Sequence, residues 1–175
     1  MTGQVQIRPG SPSDIAALES LYPRVFPEED LLPLVQKLLS EKDPVISLVA
    51  TVKGATVGHV IFTMCGIEGG PSKIALLGPL GVDPEMQRQG IGTMLVRTGL
   101  DQMSASGVVQ VNVLGDPSYY GRFGFKPDIS VQPPFTLPED WATAWQSLQT
   151  NPDRSPVSGK LQVPEPWQDI KLWAP

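Results

Sequence analysis

Along the chain the apolar residues fall into two rhythms, alternating and helical, and the points where one gives way to the other mark the elements. Val5 to Arg8 alternates and predicts a short first strand. Ile15, Leu18 and Leu21 then recur at helical spacing behind Ser11-Pro12-Ser13, a capping start, and predict a helix through about Tyr22. Pro23 and Pro27 interrupt it. Glu28-Glu29-Asp30 restart a second helix, whose acids complement its dipole and which carries Leu31, Leu34, Val35, Leu38 and Leu39 before stopping by Pro44. Val45 to Val52 and Thr56 to Cys65 read as two strands joined at Lys53-Gly54, a hairpin. Gly66 to Ser72 reads as a turn containing Glu68. Ile74 to Val82 reads as a buried fourth strand interrupted by Pro79, and Asp83 to Arg88 as a turn opened by Asp-Pro. From about Gln89 a helix begins, with Ile91, Met94, Leu95 and Val96 on one side and Gly90 and Gly92 in its first turn; it ends at Gly107, a natural C′ residue. Val108 to Leu114 is the fifth strand.

The pattern weakens beyond Pro127. Val131 to Phe135 reads as a sixth strand, and Leu137 to Asp140 as a helix start followed by a helical stripe of Trp141, Ala144, Trp145 and Leu148. Asn151 to Ser158 is a polar loop, and Gly159 to Val163 reads as a seventh strand completing the sheet. The tail to Pro175 carries Trp167 and Trp173, which predicts that it packs, either on its own domain or on a second copy in a homodimer; both stay open.

Composition narrows the class. A chain of 175 residues, 41% apolar, suits one soluble domain, 1–175, with a substantial core. No apolar run approaches the roughly 20 residues of a membrane span, and MTGQVQIRPG lacks a signal-peptide apolar region. Cys65 as sole cysteine excludes an intramolecular disulfide and suits a reducing cytoplasm. With one His and one Cys, no Cys/His zinc site is expected. A net charge of −5 argues against general nucleic-acid affinity and is compatible with a cationic, amine-bearing substrate. His59, the single histidine, shares a strand face with Val57 and Ile61, a setting more often structural than catalytic.

The chemistry lies between Leu76 and Thr98. A strand, a glycine-bearing turn and a helix N-terminus make a phosphate site in outline, because the first N–H groups of a helix have no intrahelical partner and the macrodipole adds positive potential. A dinucleotide fingerprint is excluded by Leu95 at its third glycine position, and a Walker A loop by the absence of any Lys between Lys73 and Lys126. What remains is Gln87-Arg88-Gln89-Gly90-Ile91-Gly92, matching Q/R-x-x-G-x-G/A and preceded by Leu80-Gly81-Val82-Asp83-Pro84. This closely resembles the acetyl-CoA-binding motif of the GNAT acyltransferase superfamily. A second segment, Gly115-Asp116-Pro117-Ser118-Tyr119-Tyr120-Gly121-Arg122-Phe123-Gly124-Phe125, resembles that family's Y-x-x-x-G-F stretch, with Tyr120 in the tyrosine position. Its local form is similar to one bacterial subgroup of N-acetyltransferases. Many members carry an Asn a helical turn or more before that tyrosine, contacting the pantetheine; here Val113 and Gly115 occupy that neighbourhood and Asn112 is slightly too early. The resemblance covers about Gln4 to Pro127 as a motif core and 128–175 poorly.

The resemblance implies a mixed α/β GNAT fold: a twisted, mostly antiparallel sheet of about seven strands, splayed between strands 4 and 5 and flanked by helices. It implies acetyl-CoA as co-substrate, its pantetheine in the splay near the backbone of Leu80, Gly81 and Val82. The pyrophosphate would lie on the amides of Gln89, Gly90, Ile91, Gly92 and Thr93, with Gln87 and Arg88 of the same motif also cofactor-binding and Arg88 placed to pair with a phosphate. The acetyl group would pass directly to a primary amine of a small molecule or peptide, with the Leu80 N–H near the acetyl oxygen, Tyr120 as acid for the departing thiolate, and Glu68 as candidate base. The region of the first two helices would also shape the acceptor cleft. Two other readings stand beside it: one keeps the fold but makes the chain a non-catalytic CoA-binding module or an acyltransferase using a longer acyl group, and the other is a nucleotide-binding regulatory domain.

Overall fold

The computed structural model describes residues 3–40 and 44–173; the last two positions of the predicted tail lie outside them. By contacts the chain falls into two compact units, Met1–Thr63 with Gly78–Gly99, and Met64–Leu77 with Leu100–Pro175. Two long strands, β3 and β4, run through both.

In the first unit, β1 (Val5–Pro9) pairs antiparallel with β2 (Val45–Val52), and β2 with β3 (Ala55–Ile67). The predicted hairpin forms at Lys53 and Gly54, both at positive φ, 51° and 80°. Ser11 opens a short 3₁₀ turn over Pro12–Asp14, which leads into α1 (Ile15–Val25). That helix continues through Pro23 instead of stopping before it: Pro23 lacks the N–H that would reach back one turn, yet the Phe26 N–H still donates to the Tyr22 carbonyl and closes the end. The second helix, α2, is shorter than the sequence implies, Leu32–Leu38, with residues 28–30 in the preceding turn. Leu18, Leu21, Val35, Leu38, Val49, Val60, Ile61, Phe62, Leu95 and Val96 are buried in this unit.

β4 (Gly70–Val82) begins earlier than predicted, because Glu68 and Gly69 alone make the turn from β3. In the second unit β4 pairs parallel with β5 (Gln110–Leu114), from Ile74↔Gln110 to Leu77↔Val113. The register ends there, and β4 continues through Gly78 and Pro79, joined by a cis peptide, to Val82. Proline brings no N–H to a ladder. Between them lies α3 (Ile91–Ala105), closed by a Schellman end in which the Val108 and Gly107 N–H groups reach the Met103 and Ser104 carbonyls, with Gly107 at φ 82°.

Past β5 come α4 (Pro117–Tyr120), a 3₁₀ turn at Gly121–Phe123, β6 (Lys126–Pro127) and β7 (Val131–Gln132). The expected helix after Leu137 is absent. Glu139–Ala144 forms 3₁₀ turns and Trp145–Gln149 is a strand, β8, antiparallel to β5. The Trp141, Ala144, Trp145, Leu148 spacing that suggested a helix is shared between two elements, and unmet edge groups of β5 recruit Trp145–Gln149 into the sheet. β9 (Gly159–Gln162) pairs with β3 and β7. The sheet order is β1-β2-β3-β4-β5-β8-β6, mostly antiparallel with the parallel β4–β5 pair and flanked by helices. The tryptophan tail packs on its own chain: Trp173 is buried, donates to the Trp167 carbonyl at 3.0 Å and stands edge-on to Trp145. Among the described residues no helix is long and apolar enough to cross a membrane.

Candidate functional site

β4 leads directly into a turn whose order is built by Asp83. Its N–H donates to the Val57 carbonyl at 2.8 Å, tying the turn to β3. One carboxylate oxygen accepts from the Glu85 N–H at 3.0 Å and from Arg24 at 2.8 Å, and the other meets Arg24 Nη1 at 2.8 Å. The bidentate pair fixes the end of α1 against the turn. Gln87 Nε2 donates to the Val82 carbonyl at 3.1 Å. Arg88 and Gly90 are both left-handed, at φ 65° and 83°, and the Gly90 carbonyl accepts from Met94. Gly90 therefore stands just ahead of α3, one place outside the predicted first turn. The N–H groups that open a helix lack intrahelical acceptors, and here they belong to Ile91, Gly92 and Thr93. A Cβ on Gly90 would meet nothing within 4 Å, so the approach to this helix start is open. Glycine is needed there for its backbone angle.

Leu80 and Val82 are half-buried, and Gly81 is buried, with Val25 and Phe26 crowding any added Cβ at 3.2 and 3.3 Å. Its close neighbour is thus the end of α1. Beside Phe26, a cavity of about 310 Å³ is lined by Tyr22, Phe26, Glu28, Glu29, Asp30 and Leu31. His59 is fully buried, its two ring nitrogens bonded to the Tyr22 hydroxyl and to Ser47 Oγ, each at 2.7 Å. Burial pushes its pKa down to about 4. This is a satisfied core histidine, as its strand face suggests.

Tyr120 and Glu68 belong to the second unit. Asp116 caps α4 by accepting from the Ser118 N–H and hydroxyl at 2.9 and 2.8 Å, and Gly124, at φ 102°, ends the following turn. The Tyr120 ring stands edge-on to Tyr119 and Phe125, with centroids 5.0 and 5.8 Å away. Burial raises its pKa and proximity to Tyr119 adds to the shift, so the hydroxyl stays protonated through the neutral range. Glu68 is exposed in the β3–β4 turn, where its N–H donates to the Lys160 carbonyl. Asn112 is fully buried and donates to Asp128, which also accepts from Gln110; its amide serves this polar cluster. Leu80, Gly81, Val82 and Gln87 to Thr93 are thus assembled in one unit, while Tyr120 and Glu68 sit in settings of their own. Arg24 and Phe26 beside the turn escaped the sequence reading. Only Arg24, a cation at a helix end, gave a sign.

A model of the "Acetyltransferase (GNAT) family" matches residues 14–125. The Escherichia coli protein YjhQ, described as an uncharacterized N-acetyltransferase, is 33% identical over 163 residues, covering 88% of this chain and 89% of that one. A crystal structure of Escherichia coli YhbS, a GNAT family N-acetyltransferase in complex with CoA, superposes with a TM-score of 0.86 at 28% identity, over 95% of this chain and 93% of that one. A GNAT family acetyltransferase from Brucella melitensis in complex with acetyl-CoA gives 0.77 at 29% identity, over 94% and 99%. With the strand, turn and helix start in place, the chain belongs to the acetyltransferase (GNAT) family.

Proposed function

We propose that this protein is an N-acetyltransferase that passes the acetyl group of acetyl-CoA directly to a primary amine. The observation that carries the reading is the course of β4: its pairing with β5 stops at Leu77 and the strand runs on to Val82, into a turn with left-handed Arg88 and Gly90 at the start of a 15-residue helix. Two structures from related bacterial proteins contain CoA or acetyl-CoA, which supports the same ligand here.

In this reading the co-substrate supplies an activated thioester. The chain's part is to hold and polarise it. Ile91, Gly92 and Thr93 offer N–H groups, and Arg88 a positive charge, to the diphosphate. Gln87, Gln89 and Gly90 shape the turn around it, and the backbone of Leu80, Gly81 and Val82 receives the pantetheine arm. The Leu80 N–H donates to the acetyl oxygen as negative charge gathers there. The Tyr120 hydroxyl, kept protonated by its surroundings, gives its proton to the departing sulfur. Glu68, directly or through water, takes the proton of the attacking amine, whose free pKa is near 10.4 for a lysine-like group. The acceptor enters by the cavity beside Phe26, whose rim of Glu28, Glu29 and Asp30 suits an ammonium-bearing molecule.

The test is an amine-panel assay for released CoA thiol, run on the natural protein and on Tyr120→Phe. Loss of one proton donor is expected to lower kcat about 10²-fold while acetyl-CoA affinity stays within twofold. Turnover at the natural rate would remove Tyr120 from the chemistry.

A further inference from the structure

Among the described residues, Gln146 Oε1 is the buried side-chain polar atom with no hydrogen-bond partner. Gln146 lies on β8, 1% exposed, opposite Val113 of β5 and Pro127 of β6. Its other end is well employed. Nε2 donates to the Gly115 carbonyl at 3.0 Å and weakly to the Ala144 carbonyl at 3.4 Å. The Gly115 N–H donates to the same Ala144 carbonyl at 2.9 Å, so both backbone groups of Gly115 are held from Ala144–Gln146. Gly115 in turn forms the wall against which Tyr120 rests: a Cβ there would lie 2.5 Å from ring atom Cε2 and 3.0 Å from Cδ2.

A buried carboxamide satisfied at one end gives up the hydration of the other for nothing, and an apolar residue of similar volume avoids that loss. Stability alone therefore does not account for a glutamine at this place. Its donor end does, because Gly115 carries the strand β5 into Asp116, the cap of the helix that bears Tyr120. A displacement of about 1 Å in a reacting group is enough to cost two orders of magnitude in rate.

We propose that Gln146 is a positioning residue for Tyr120: by clamping the Gly115 carbonyl it fixes the surface on which the phenol ring sits. The inference rests on the reading of Tyr120 as the acid of an acetyl transfer, and it is tested by a double-mutant cycle together with ring NMR. Gln146→Leu, and Gln146→Met as the variant nearest in shape, are expected to lower kcat about tenfold. The KM for acetyl-CoA and the melting temperature should hold or, for the latter, rise. In a Tyr120→Phe background the same substitutions should have no further effect, since the group they misplace is gone. With three tyrosines in the chain, ¹³C-ring-labelled protein gives an assignable spectrum; the Tyr120 signal should shift in Gln146→Met while that of Tyr22 stays. An unshifted Tyr120 signal, or an undiminished kcat effect in the Tyr120→Phe background, would overturn the proposal. A Tyr120→Phe variant with natural turnover would instead remove the acid role, leaving the NMR arm to report whether Gln146 holds the ring.

Discussion

His59 is fully buried, with one ring nitrogen facing a tyrosine hydroxyl and the other a serine hydroxyl. Its pKa is lowered from 6.5 to about 4 by burial, against a weaker opposing pull from Asp14. The native chain therefore refuses a proton that the unfolded chain accepts. The stabilisation is complete above about 6.5 and is lost as pH falls from there towards 4, about 3 kcal/mol in all. Asp14 acts in a lower window. Arg8, through hydrogen bonds at 2.7 and 2.9 Å, holds its pKa at about 2, so its contribution is lost only as pH falls from 3.8 to about 2. Urea unfolding at pH 7 and pH 5 should show the natural protein weakening over that interval, while His59→Gln, weaker at pH 7, should lose little more. A parallel loss in the variant would assign the acid sensitivity elsewhere. Alternation along β3 made the burial of His59 legible from sequence. Its partners did not show there, since Tyr22 and Ser47 lie 37 and 12 residues away and only the packing of α1 on β3 and the β2–β3 register bring them to the ring.

Helix α3 makes the same point at the scale of an element. Its length and both ends were readable, because Gly90 and Gly107 sit at positive φ where few other residues serve and the apolar stripe has helical period. Gly99, in its middle, was unremarkable in sequence. In an exposed helix, glycine to alanine is worth about 1 kcal/mol in favour of alanine. Here a Cβ would overlap the ring of Phe62, itself fully buried on β3. Overpacking a filled core costs about 1–3 kcal/mol, so the steric term wins and Gly99→Ala should lower the melting temperature by several degrees. A rise would mean that Phe62 yields freely. The elements that sequence misplaced share a cause. α1 runs through Pro23 since packing of Leu18, Leu21 and Tyr22 outweighs one missing hydrogen bond, and β8 replaces a helix since a strand edge offered partners to Trp145–Gln149. Period and propensity carry no term for such partners.

For the molecule as a whole, net charge opposes the proposed ligand. A chain at −5 repels a polyanion such as acetyl-CoA, and beyond a Debye length of about 8 Å that repulsion is screened at physiological salt. In the proposed reading, binding therefore comes from close groups: the start of α3, Arg88, and the backbone at the end of β4. Nucleotides without a pantetheine arm reach only the first two. The discrimination is measurable as stability, since a ligand that binds only the native chain at 100 times its Kd adds about 2.7 kcal/mol. For a chain of this size that corresponds to a rise in melting temperature of roughly 5–10 °C. Acetyl-CoA and CoA should produce it; ADP and GTP at equal concentration should give far less, and raising salt from 50 to 300 mM should reduce the nucleotide response proportionally more. Equal shifts from ADP and acetyl-CoA would favour the nucleotide-binding alternative and leave the run of β4 past its pairing with β5 without a ligand.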